Sequence, residues 1–285
     1  MKIKIMSDST CDLSPELLQH YDIAITPLSV HCGSRVGADG SEITPEDIYA
    51  YVNTENALPK TSAVNIADYA AAFRQWVEHD CYVVHFCLGS EFSSTYQNAC
   101  LAAKEVGNVF VVDSCNLSTG QGLLVLRAAE MATQGYYAQE IWRTCTALTK
   151  QVEASFVVDS LDYLYKGGRC SALGAFGANL LRIKPCIEVR NGKMIPAKKY
   201  RGRIEKVMLQ YVEDRLRARS DIDKSRIFIT HTACSPEAVR AVRDKVLELA
   251  PDFQDVLITT AGATITSHCG PNTLGILSVS YTHLT

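Results

Sequence analysis

The residues best suited to chemistry in this chain are hydroxyl-rich turns that follow apolar runs. Ile3–Met6 leads into Ser7-Asp8-Ser9-Thr10-Cys11-Asp12, and Tyr82–Leu88 into Gly89-Ser90-Glu91-Phe92-Ser93-Ser94-Thr95. Val109–Val112 leads into Asp113-Ser114. In open α/β sheets, ligands bind beyond the carboxyl ends of the strands, where hydroxyls and unpaired helix N–H groups converge. One such turn is accounted for as a capped helix start. Several in succession favour a site for an oxyanion, and spacing alone leaves carboxylate and phosphate both open. His268 can join them, because the Gly270-Pro271 turn that follows it can aim an imidazole at a ligand. His85, inside a strand, reads as a core residue. Asp8 and Asp12 supply a rival chemistry, in which a carboxylate pair after the first strand holds Mg²⁺ for an enzyme acting on a phosphorylated metabolite. Against it, no further acidic residues gather after the later strands.

The elements that must position these residues alternate through the first half of the chain. Ile3–Met6, Ile23–Leu28, Tyr82–Leu88 and Val109–Val112 read as buried strands, while Ile66, Tyr69, Ala70, Phe73 and Val77 recur at helical spacing. Ser14-Pro15-Glu16, Thr44-Pro45-Glu46 and Ser235-Pro236-Glu237 each place a hydroxyl at the N-cap, proline in the first turn and an acid beside it. Such alternation predicts a parallel sheet covered by helices. A helical stretch over 119–151, broken near Gly135, leads into a second α/β lobe. There Phe156–Asp159 reads as a strand, Lys166-Gly167-Gly168-Arg169 as a glycine-hinged loop and Cys186–Ile195 as a hairpin turning at Asn191-Gly192. The expected division is 1–152 and 153–285.

Composition narrows the function classes. The 285 residues are 47% hydrophobic and 21% charged, as in a folded globular protein. A net charge of −3 gives no electrostatic reason to expect nucleic acid. No apolar run approaches the about 20 residues of a membrane-spanning helix, and Met1-Lys2-Ile3-Lys4-Ile5 lacks signal-peptide anatomy, so a cytoplasmic protein is expected. The eleven cysteines are odd in number, scattered, and form no C-x-x-C pair, which points to reduced thiols. Signatures of nucleotide loops, Rossmann turns, zinc proteases and serine hydrolases are absent; Gly120-Gln121-Gly122 lacks the third glycine of a dinucleotide turn.

Six segments together resemble the bacterial DegV family. They are Ser7-Asp8-Ser9-Thr10-Cys11-Asp12-Leu13; Pro59-Lys60-Thr61-Ser62; and Ser90-x-x-Ser93-x-Thr95-Tyr96-Gln97. The others are Asp159-Ser160-Leu161-x-Tyr163-Leu164-x-Lys166-Gly167-Gly168-Arg169, Ile183-Lys184-Pro185 and His268-Cys269-Gly270-Pro271. They occur in family order and span almost the whole chain. The resemblance implies a two-lobed α/β fold, each lobe a sheet covered by helices, with a long-chain fatty acid in the interlobe cleft. It implies a lipid-binding subunit that presents the carboxylate to a separate fatty acid kinase subunit. That partner would carry the ATP and Mg²⁺, so no cofactor or metal is expected on this chain. Carried over by position, Thr61, Ser93 and His268 contact the carboxylate with Ser62 beside them. Arg169 assists phosphoryl transfer or docking, and Arg201, in the basic run Lys198–Arg203, faces the partner.

Physical chemistry fits those roles. A carboxylate taken from water needs hydrogen bonds for its lone pairs and preferably a donor that can become cationic. The tail contributes roughly 0.8 kcal/mol per buried methylene. A regulatory protein that senses a lipid without a kinase is a third reading. The chain departs from the family pattern at Ala63-Val64-Asn65, at Glu91 and Ser94, and at Asn272, changes that bear on the pocket's shape. From Val279 onward the chain also matches a translated transposon-adapter string, so its last residues are expected to be foreign to the natural protein.

Overall fold

The computed structural model describes residues 2–169 and 183–281. The chain runs β1 (Lys2–Asp8), α1 (Pro15–His20), β2 (Ala24–Thr26), β3 (Ser29–Cys32), β4 (Arg35–Ala38), α2 (Pro45–Glu55), β5 (Lys60–Ser62), α3 (Ile66–Val77), β6 (Cys81–Cys87), α4 (Thr95–Val106) and β7 (Val109–Asp113). It continues through α5 (Thr119–Thr133), α6 (Ala138–Leu148), β8 (Val152–Val157), α7 (Asp162–Gly167), β9 (Lys184–Arg190), β10 (Lys193–Tyr200) and α8 (Ile204–Leu216). It ends with β11 (Ile222–Thr232), α9 (Pro236–Leu249), β12 (Asp255–Thr260), α10 (Ala263–Cys269) and β13 (Thr273–Ser280).

Among the described residues three sheets form. The first is parallel throughout, in the order β2-β1-β6-β7. Its inner strands are buried along most of their length, as a sheet covered on both faces requires. A six-stranded sheet, β10-β9-β8-β13-β11-β12, is antiparallel except for the β11–β12 pair. Its strands all follow α6. A small antiparallel sheet, β4-β3-β5, completes the set. The predicted helix starts hold: Ser14, Thr44 and Ser235 each accept an N–H from the first turn of their helix. Asn191 and Gly192, both at positive φ, turn the β9–β10 hairpin as expected.

Helix α5 joins the two large sheets, packing against β1 and β6 on one side and β8 and β13 on the other. Every residue from Thr119 to Met131 except Arg127 and Glu130 is buried, as befits a helix enclosed between two sheets. Its glycines allow this approach: a Cβ on Gly120 would overlap the Asn116 amide, and one on Gly122 the Cys11 carbonyl. Gly120-Gln121-Gly122 is thus a packing device. Helices α8 and α9 supply a second core through Val207, Tyr211, Val242 and Val246 against Ile227, Ile229 and Ile276.

Two expectations are corrected. The run Ile23–Leu28 is not one strand. After β2 the chain reaches Pro27, which has no N–H to donate, and resumes as β3 in a different sheet. Lys166-Gly167-Gly168 is not a hinged loop but the last turn of α7, with Gly168 as its left-handed cap at φ 68°. Each described cysteine is free. Of the suspect terminal residues, Val279 and Ser280 belong to β13, and 282–285 lie outside the described residues.

His85 is fully buried, as its place in β6 predicts. Its ring meets Tyr69 and Phe73 edge-on at 5.2 and 5.3 Å, and its Nε2 lies 3.1 Å from Asp8 Oδ1. His85→Ala removes one partner of a buried carboxylate and opens a cavity. It should lower unfolding free energy by about 3 kcal/mol. Urea denaturation checks this, and a loss under about 1 kcal/mol would contradict it.

Candidate functional site

The hydroxyls and the imidazole converge as their residue types suggest. Thr61, Ser62, Ser93, Arg169 and His268 all line one cavity of about 500 Å³, counted with its open mouth. Four separate elements deliver them: β5, the turn after β6, the segment after α7, and α10 opposite β5. Thr61 Oγ1 and His268 Nε2, 207 residues apart in sequence, are 2.8 Å apart. Ser93 is half-buried, and its Oγ accepts the Thr95 N–H at 3.3 Å, which fixes the turn before α4. Arg169 sits exposed at the rim and donates to the Gly167 carbonyl at 2.8 Å.

Glycines bring α7 against α10. A Cβ on Gly167 would lie 2.7 Å from His268 Nδ1, and one on Gly270 only 2.5 Å from the Tyr163 ring. The Lys166-Gly167-Gly168-Arg169 and His268-Cys269-Gly270-Pro271 motifs are therefore two sides of one contact. Lys184 ties in a third motif by pairing with the Asp159 carboxylate and backbone carbonyl. His268 Nδ1 is buried with no hydrogen-bond partner. Burial, reinforced by the nearby Arg169 cation, pulls its pKa down to about 4, so the imidazole is neutral at pH 7.

Apart from Thr264, the remaining wall is apolar and includes Leu28, Leu88, Phe92, Leu117, Met194 and Ile265. A second cavity of about 360 Å³ shares Leu117, Ile265 and Cys269 with the first and runs on between β8, β11 and β13 past Phe156, Gly275 and Leu277. A polar end thus lies next to two adjoining, mainly apolar cavities. This arrangement can bind an amphiphile whose anionic head needs two or three hydrogen bonds.

Asp8 and Asp12 are committed elsewhere. Asp8 accepts from Tyr69 Oη at 2.5 Å and from the Leu88 N–H at 2.9 Å, besides its contact with His85. Asp12 accepts from Ser118 Oγ at 2.5 Å and from the Gly262 N–H at 2.8 Å, and burial pushes its pKa up to about 8. Asp8, His85 and Cys87 place three possible metal-ligand atoms within 4.8 Å of one another. Burial, however, holds the Cys87 thiol well above its ordinary pKa, opposing the thiolate a metal would need.

Arg201 does not line the cavity. It is exposed just after β10, and its neighbour Lys198 is engaged with Asp214 at 2.6 Å. Sequence reasoning missed His31, whose Nε2 lies 2.8 Å from Ser62 Oγ, and Asp39, which accepts the Ala263 N–H at 2.8 Å. No local pattern marks either residue, because each meets its partner only through the tertiary fold.

Comparison with known proteins shows what this chain is similar to. A DegV domain-containing protein of Deinococcus radiodurans is 34% identical over 277 residues, covering 97% of this chain and 98% of that protein. A Thermotoga maritima protein named as a fatty acid-binding protein is 33% identical, with 96% of each chain covered. The solved structure of a fatty-acid-binding DegV family protein from Thermus thermophilus superimposes with a TM-score of 0.89 at 31% identity, over 98% of this chain and 100% of that one. The family model described as "Uncharacterised protein, DegV family" matches residues 2–280, nearly the whole chain, and the chain belongs to the DegV family.

Proposed function

We propose that this chain encloses a long-chain fatty acid between lobes 1–152 and 153–285 and presents its carboxylate to a separate ATP-dependent kinase subunit in the cytoplasm. The observation that carries the reading is a cavity with a hydroxyl–imidazole pair at its polar end, adjoined through shared lining residues by a second, mainly apolar cavity. Thr61, Ser93 and His268 would donate to the carboxylate. A neutral imidazole can do so from Nε2 and gains strength if the incoming anion draws a proton onto it. Arg169, outside this group at the rim, is suited to a phosphoryl group arriving from the partner, because its planar donors match phosphate oxygens. The chain itself supplies the binding and orientation. The nucleotide and its metal belong to the kinase.

Asp8 and Asp12, the carboxylates of the rival metal-dependent reading, are occupied by the hydrogen bonds described above. That observation favours the lipid reading over a phosphometabolite enzyme.

Arg169→Ala should leave fatty acid affinity close to that of the parent protein. Acyl-phosphate formation with the cognate kinase and ATP should fall at least about tenfold. Equal transfer by the variant would remove Arg169 from the reaction, and lost lipid binding would make it a headgroup ligand. A drop that disappears at saturating kinase assigns it to docking.

His268 leaves a signature in the pH dependence of stability. Unfolded, His268 titrates near 6.5; folded, near 4. Its burial therefore contributes stability that is complete above about pH 6.5 and is lost as pH falls toward about 4, by up to about 3 kcal/mol. His268→Gln should flatten that part of the stability profile in urea unfolding of lipid-free protein between pH 4 and 7. Parallel profiles for variant and parent would contradict a neutral, buried His268.

A further inference from the structure

Strand β5 carries two hydroxyl–imidazole pairs that face opposite ways. Thr61 pairs with His268 on the inner face, where the cross-strand neighbour Val30 is fully buried. The next residue, Ser62, pairs with His31 at 2.8 Å on the outer face. Side-chain alternation places Lys60, Ser62, Ser29 and His31 together on that face, with His31 directly opposite Lys60 in the register. On the adjoining strand the residues opposite Ser29 and His31 are Ala38 and Val36, so the register brings no carboxylate to neutralise this group. Ser62 and Lys60 are exposed, and Ser62 also lines the cavity mouth alongside Arg169. The outer face thus offers a hydroxyl, an imidazole and an ammonium beside a site whose inner face already accounts for a carboxylate.

We propose that Ser62, His31 and Lys60 form a second anion subsite, one that recognises a phosphoryl group attached to the carboxylate held in the cavity. His31 acts there as a positioning residue, holding the Ser62 hydroxyl through its Nε2. The consequence is that the protein holds an acyl phosphate in preference to the free acid. This inference rests on the fatty-acid reading above. The chemistry it names, a phosphate monoester or anhydride oxygen cluster, could also come from a nucleotide or from free phosphate.

The test is isothermal titration of the delipidated full chain with a long-chain fatty acid, a non-hydrolysable acyl phosphonate of matched length, ATP and inorganic phosphate. The parent protein should bind the phosphonate more tightly than the acid. The ratio of the two affinities should fall about tenfold in His31→Ala and in Ser62→Ala. His31→Gln, which keeps a hydrogen-bonding group near the Nε2 position, should recover most of the ratio. Lys60→Ala should lower the ratio and weaken its salt dependence. An unchanged ratio in both His31→Ala and Ser62→Ala overturns the subsite, as does His31-dependent binding of ATP or inorganic phosphate in place of the phosphonate. If the parent protein binds the acid but shows no preference for the phosphonate, the subsite fails while the fatty-acid reading stands. Binding of neither lipid sinks both.

Discussion

The site depends on how the N-terminus of α10 is held. The N–H groups of Gly262 and Ala263 donate to Asp12 and Asp39, carboxylates that enter from loops more than two hundred residues earlier. A carboxyl oxygen at a helix N-terminus satisfies an orphan N–H donor there. Here two of them fix where a short helix begins, and so where its last turn puts His268. Asp12 also takes the Ser118 hydroxyl beside the start of α5, and Asp39 takes the Ser9 hydroxyl, which in turn accepts the Leu28 N–H. The turn after β1 therefore ties the central helix, the small sheet and α10 into one frame. Its conspicuous acids serve architecture, and the architecture serves the site.

Electrostatically the cavity is graded. His268 is neutral, Arg169 stands at the rim, and the second cavity beyond Leu117 and Ile265 is mainly apolar. An anionic head is drawn toward the mouth by a cation and finds hydrogen bonds just inside, while a hydrocarbon tail gains by leaving water. The low pKa of His268 reflects burial first and Arg169 second. An anion placed between the two would oppose both causes.

Much of this was legible in the chain. Caps such as Ser14-Pro15 and Thr44-Pro45, the parallel sheet and the Asn191-Gly192 hairpin follow from local rules, because backbone preference and apolar periodicity act within a few residues. The motif residues Thr61, Ser93, Arg169 and His268 meet in one cavity. What was not legible is what long-range packing decides. The three-residue strand β5 is too short to show a period, and Pro27 divides what reads as a single apolar run. Gly167 and Gly168 suggest a hinge by type, yet one makes room for an imidazole and the other caps a helix. Asp12 reads, with Asp8, as a carboxylate pair for Mg²⁺, and only the approach of Gly262 across 250 residues shows it holding the start of a helix.

The most direct measurement of the central claim is denaturing extraction of the purified protein followed by mass spectrometry of what is released. The account predicts one equivalent of long-chain fatty acid per chain, removable by delipidation and restored by added lipid with a rise in melting temperature. A protein that releases no acid, gains no thermal stability from any long-chain fatty acid, and instead retains a phosphorylated metabolite would contradict it.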